Sequence, residues 1–132
     1  MVLKYGLIVL GMLLLLFLFG VVSMKGNVFI LRSLLKVFDA NYVVDSEISL
    51  LSGLDVNNKH DLSKACNILL KDEYLSFSDK ERREFISTID YCLEDKNCDF
   101  KELLRDLSLV FDNDVLNNRE FISNIRDIIS SY

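Results

Sequence analysis

Between Tyr5 and Met24 the chain reads YGLIVLGMLLLLFLFGVVSM, twenty residues without a single charge. An α-helix rises about 1.5 Å per residue, and the hydrocarbon core of a bilayer is about 30 Å thick. A stretch of this length and composition is expected to form a single transmembrane helix, about 5–24. Lys4 and Tyr5 suit one interface, and Ser23 with Lys25 suits the other. Gly6, Gly11 and Gly20 are compatible with such a helix, because no water competes for its backbone hydrogen bonds. The first and second of these glycines are not in GxxxG spacing, so no specific helix dimer is indicated. The alternative is a cleaved secretory signal, with Lys4 as a minimal positive region and Val21-Val22-Ser23 as small residues for a peptidase. A signal core runs roughly 7–15 residues and then breaks sharply; this one is longer and resumes as NVFILRSLLKVF, which favours the retained anchor.

Charge divides the chain. Residues 1–38 hold Lys4, Lys25, Arg32 and Lys36 and no acid, a balance of +4, whereas residues 39–132 hold 11 basic and 20 acidic residues, a balance of −9. The four basic residues are candidate membrane-flanking groups, attracted to anionic headgroups. The acidic remainder argues against nucleic acid as a partner, since phosphate binding needs a cationic surface. In the resumed stretch Val28, Leu31, Leu35 and Phe38 share one helical face, with Arg32, Lys36 and Asp39 opposite. It reads as an amphipathic extension of the anchor, packed on its own domain in preference to lying free on the membrane surface. Three basic residues after the span, against Lys4 and the α-amine before it, lean the body towards the cytoplasm.

The expected organisation is thus an anchor with a basic extension over 1–38 and an acidic helical domain over 39–132. Proline is absent, so helix limits must come from caps and polar turns. SDKE at Ser78–Glu81 is a capping box ahead of Phe85, Ile86, Ile89, Cys92 and Leu93 at helical spacing. Asp99 precedes a stripe of Phe100, Leu103, Leu104, Leu107, Val110 and Phe111, and Asn117 one of Phe121, Ile122, Ile125, Ile128, Ile129 and Tyr132. Upstream, Asp45 or Ser46 starts a short helix ending at Gly53, and Asn57 or Asn58 starts another carrying Leu62, Ala65, Cys66, Leu69 and Leu70. EYLSF reads as its fraying end and a turn. The fold class is all-α: a small bundle of about four to five amphipathic helices behind one transmembrane helix.

Motifs of chemistry are missing. His60 stands alone in a polar run, six residues from Cys66, which is off one helix face. Cys66, Cys92 and Cys98 form no CxxC and have no histidine at zinc-ligand spacing. DNDVLNNREFIS imitates a calcium loop but has Leu116 at a ligand position, Asn117 for the turn glycine and Ser123 for the bidentate glutamate. No GxGxxG, Walker, HExxH or GxSxG pattern occurs, so neither enzyme activity, nor a cofactor, nor a small-molecule substrate is expected. Cys92 and Cys98 flank a turn between two predicted helices, where a disulfide is sterically conceivable and depends on compartment.

The stretch LLKVFDANYVVDSEISLL is similar to the acidic helix-turn-helix of tellurite-resistance-B-like domains, among them those of membrane-anchored J-domain co-chaperones. Asp39, Asp45 and Glu47 are the matching acids. The similarity covers under a fifth of the chain, Ala40 stands where that family has glycine, and no second copy is apparent. No family is assigned on it.

Two functions are carried forward. The first is a single-pass membrane protein, in a bacterial inner membrane, whose acidic domain binds another protein as an accessory subunit or adaptor. The second is a periplasm-facing inhibitor or immunity-type protein braced by a Cys92–Cys98 disulfide. The lipid bilayer and another protein are the expected partners.

Overall fold

A computed structural model of the chain describes residues 28–132. Among these residues the protein is all-helical, with seven α-helices and one isolated β-bridge. The helices are α1 Val28–Leu35, α2 Asp45–Leu50, α3 Lys59–Leu69, α4 Lys71–Leu75, α5 Asp79–Glu94, α6 Phe100–Leu104 and α7 Asn118–Ser130. No helix among the described residues is long and apolar enough to cross a membrane. The Tyr5–Met24 segment, together with Lys4 and Lys25, lies outside them.

Local chemistry sets most helix starts. The Ser78 hydroxyl accepts from the Glu81 N–H while the Glu81 carboxylate accepts from the Ser78 N–H, at 3.2 and 3.0 Å, which is the expected capping box. Asn58, Asp99 and Asn117 each accept the backbone N–H three residues on, at 3.0 Å. The apolar stripes behind these caps meet in one core. Phe85, Ile89 and Cys92 of α5 and Phe121, Ile122, Ile125, Ile128 and Ile129 of α7 are buried, with Leu62, Ala65 and Cys66 of α3. Helix α7 packs on both α5 and α3, and α1 packs on α5 and α6. A part-exposed Arg126 on α7 donates twice to the Asp90 carboxylate on α5, at 2.9 and 3.2 Å.

The core runs straight across residue 38. Ile30, Leu31, Leu34 and Leu35 of α1, then Val37 and Phe38 of the 3-10 turn Lys36–Phe38, are all at most 5% exposed. At about 1.5–3 kcal/mol per buried apolar side chain, these six contribute roughly 10 kcal/mol or more, as much as a whole small domain retains. Among the described residues, the stretch over 30–38 therefore packs within the same core as the acidic body.

Several sequence expectations need correction: six α-helices follow residue 39 among the described residues, not four to five, and Val44, with no side-chain cap bond, precedes Asp45–Leu50 where Asp45 or Ser46 is the expected cap. EYLSF is not a frayed end: Lys71–Leu75 forms α4, separated from α3 by Leu70 alone, and buries Tyr74. The stripe expected to run helically to Phe111 stops at Leu104. The chain then extends, because residues 108–110 have an alternative partner. The Ala40 N–H donates to the Ser108 carbonyl and the Val110 N–H to the Phe38 carbonyl, both at 2.8 Å, around an antiparallel bridge between Asp39 and Leu109. Phe38, Phe111 and Phe121 converge beside this crossing, with ring centroids 5.7–6.5 Å apart.

The crossing juxtaposes two short segments of like sequence. Val37-Phe38-Asp39 and Val110-Phe111-Asp112 run antiparallel past each other. Eight residues beyond each aspartate stands a glutamate, Glu47 in α2 and Glu120 in α7, each the third residue of its helix.

A chain beginning at residue 28 is expected to unfold cooperatively in urea with a helical circular dichroism spectrum, and one beginning at residue 39 to show no cooperative transition. Phe38→Ala is expected to lower unfolding free energy by about 3–5 kcal/mol.

Candidate functional site

Of the residues singled out from sequence as membrane-flanking, Arg32 and Lys36 are described, and both are engaged with the folded body. Arg32 donates to the Glu102 carbonyl at 2.9 Å and pairs with Asp106 at 3.4 Å. The Lys36 ammonium lies over the Tyr42 ring, 5.7 Å from its centroid.

Cys92 and Cys98 are brought together. Both are free thiols; Cys92 is buried at the end of α5, and Cys98 is half-buried just before α6. The Cys98 thiol neighbours the Cys92 thiol, and burial, followed by this neighbour, pushes the Cys92 thiol up from its ordinary value. The turn between them is tightly held. The Cys98 N–H donates to the Asp95 carbonyl at 3.1 Å, and the Asn97 N–H to the Asp95 carboxylate at 2.9 Å. From α7, Arg119 donates to the carbonyls of Leu93 and Asp95 at 2.7 and 3.2 Å, with its guanidinium 4.7 Å from the Phe100 ring centroid. The third cysteine is remote from chemistry: Cys66 is fully buried, and that burial pushes its thiol up to about 12. His60 is exposed in an open groove with Lys59, Ser63, Asp127, Ile128 and Ser131, and Lys59 is already paired with Asp127 at 2.8 Å.

Two features went unseen in the sequence. The first is a seam between the loop after α2 and the loop before α7. The Gly53 N–H donates to the Asp112 carboxylate at 3.2 Å and the Val56 N–H to the Asn113 side chain at 3.0 Å. The Asn113 amide donates to the Asp55 carboxylate at 2.7 Å, and the Asn57 side chain joins the Asp114 carbonyl and the Leu116 N–H, each at 2.9 Å. Gly53, at φ +82°, takes the left-handed conformation that opens this turn. The Asn57 N–H, then the Asn113 amide, hold the Asp55 carboxyl below its ordinary value. The only sequence signal for the seam is two turns of the same Asp/Asn-rich composition, DVNN and DNDVLNN. The end of the molecule that imitates a calcium loop thus uses its side chains to satisfy backbone groups. Among the described residues no set of three or more histidine, cysteine or acidic side chains is arranged to hold a metal.

The second feature is Glu73 on α4, 4% exposed, whose carboxylate oxygens meet no hydrogen-bond partner among the described residues. Burial pushes this carboxyl up to about 7.

No protein-family model matches the chain, and neither the curated proteins nor the solved structures contain a match. The likeness of residues 34–51 to the acidic helix-turn-helix accordingly assigns no family.

Asn113→Ala removes both side-chain bonds of the seam's centre and is expected to lower stability by about 1–2 kcal/mol in urea titration. For Glu73 the sign follows from proton binding. The folded state holds the proton up to about 7, the unfolded chain only up to about 4.3. This group therefore favours folding fully below the lower value and loses that contribution as pH rises to the upper one. Glu73→Gln should match the parent in stability at acid pH and exceed it by about 1–3 kcal/mol at alkaline pH, measured as the difference between paired denaturation curves.

Proposed function

We propose that the protein is a single-pass membrane-anchored interaction module, an accessory subunit or adaptor whose acidic helical body docks on another protein. The observation that carries this reading is the position of α1. Lys25, Gly26 and Asn27 alone lie in sequence between the apolar Tyr5–Met24 stretch and α1, Val28–Leu35. Three residues reach roughly 10 Å at most. An anchor at 5–24 would therefore hold the body against the membrane surface, and tethering of that kind raises effective concentration, so that modest affinity for a neighbour suffices.

Electrostatics supports a partner with a basic contact surface. The described residues carry 13 basic and 20 acidic side chains, a net −7. Several of the bases are already engaged within the fold: Arg32, Arg119 and Arg126 bond to body carbonyls or carboxylates. Exposed Asp55, Asp112 and Asp114 cluster at the loop seam. Complementary charge of this sort speeds encounter and selects partners more than it adds affinity.

The same engagement of basic residues favours a second reading. With Arg32 and Lys36 counted in the body, Lys25 alone remains after the apolar stretch against Lys4 and the α-amine before it, and the one-charge margin that leaned the body towards the cytoplasm reverses. An outward-facing inhibitor or immunity-type protein then fits the acidic body as well.

The test is fractionation of cells expressing the full chain and the chain from residue 28. The full chain is expected to stay in the membrane pellet through alkaline carbonate extraction, and the shorter chain to be soluble and helical. Recovery of the full-length chain in the soluble fraction, or of mature protein beginning near Met24, would overturn the anchored reading. A reporter fused after Tyr132 decides between the cytoplasmic and outward forms.

A further inference from the structure

We infer that Cys92 and Cys98 are a disulfide-forming pair, with Cys98 as the attacking thiol and Cys92 as the resolving one, poised to clip the end of α5 to the start of α6. The inference rests on the turn geometry and stands independently of the membrane reading.

Three observations converge. The two thiols are neighbours at either end of one short turn and both are free. The turn that juxtaposes them is held from within by the Asp95 carbonyl and carboxylate and from outside by Arg119 on α7. The two cysteines also differ in access: Cys98 is half-buried and reachable, whereas Cys92 is only 4% exposed. An external oxidant meets Cys98 first, and Cys92 is placed behind it.

The oxidant is a disulfide, whether of a small thiol such as glutathione or of an oxidoreductase. The Cys98 sulfur, as thiolate, attacks one sulfur of the disulfide; a mixed disulfide forms and the first external thiolate departs. The Cys92 sulfur then attacks the Cys98 sulfur, its proton passing to the second departing thiolate. The net change is two protein thiols oxidised to one disulfide and one external disulfide reduced to two thiols. Cys66, fully buried in the core, takes no part.

The bridge closes a short loop, so its effect on the unfolded chain is modest, and the reduced turn is already held by Arg119. Oxidation is therefore expected to raise the melting temperature by roughly 5–10 °C without changing the helical spectrum.

The experiment uses the full-length protein, in detergent, equilibrated across a series of glutathione redox buffers, then acid-quenched, alkylated and mapped by mass spectrometry. The expected result is one intramolecular Cys92–Cys98 bridge appearing as the buffer becomes oxidising, with Cys66 alkylated only after denaturation. Cys92→Ser is expected to accumulate a glutathione adduct on Cys98, since the resolving thiol is gone; Cys98→Ser, which leaves the buried position intact, is expected to take up no adduct on Cys92. Cys92→Ala serves the first purpose if serine is not tolerated in the core. Both thiols remaining free in oxidising buffer would overturn the inference. So would a stable glutathione adduct on the unsubstituted protein, or a bridge involving Cys66 or a second chain.

Discussion

Burial of residues 30–38 is the interaction on which the rest of the molecule depends. Helix α1 places four apolar side chains against α5 and α6, and the following turn adds Val37 and Phe38. Phe38 then meets Phe111 and Phe121, joining the first described element to the last helix. Without that wedge α5, α6 and α7 would share an exposed apolar face. The short backbone crossing at 38–40 and 108–110 follows from the same contact: once Phe38 is seated, the peptide groups beside it need partners, and the segment after α6 supplies them.

This arrangement governs what lies at the two sides of the body. On one, the crossing delivers Asp112 into the loop that leads to α7, and Asn57 and Asn113 stitch that loop to the one after α2. On the other, α7 carries Arg119 across to the corner where α5 ends, holding the turn that juxtaposes Cys92 and Cys98. Both are polar constructions built on a shared apolar base, and each depends on α7 being fixed at its N-terminus. The Asn117 cap and the burial of Phe121 fix it there.

Much of this was legible in the sequence. The caps at Ser78, Asp99 and Asn117 and the stripes of α5 and α7 follow from rules that act over a few residues, and those rules held. What escaped was non-local. Leu107, Val110 and Phe111 have helical spacing, yet Val110 bonds to Phe38 across the chain, and a tertiary partner overrode the period. Lys71–Leu75 resumes helix because Tyr74 finds a buried place among Phe85 and Tyr132, which no local rule announces. The two VFD segments were separated by seventy-odd residues and only their contact drew attention to the likeness. Among site residues, the Cys92–Cys98 proximity was readable because only a turn intervenes. The inward engagement of Arg32 was not, since its partners Glu102 and Asp106 lie far along the chain.

The most direct measurement of the central claim is amide hydrogen exchange on the full-length protein, resolved along the sequence. If α1 belongs to the core, the amides of residues 32–38 should exchange only through the global opening that also exposes α5 and α7, with protection matching theirs. Rapid exchange of that stretch, while α5 and α7 remain protected, would show that the body folds without α1 and would contradict the account.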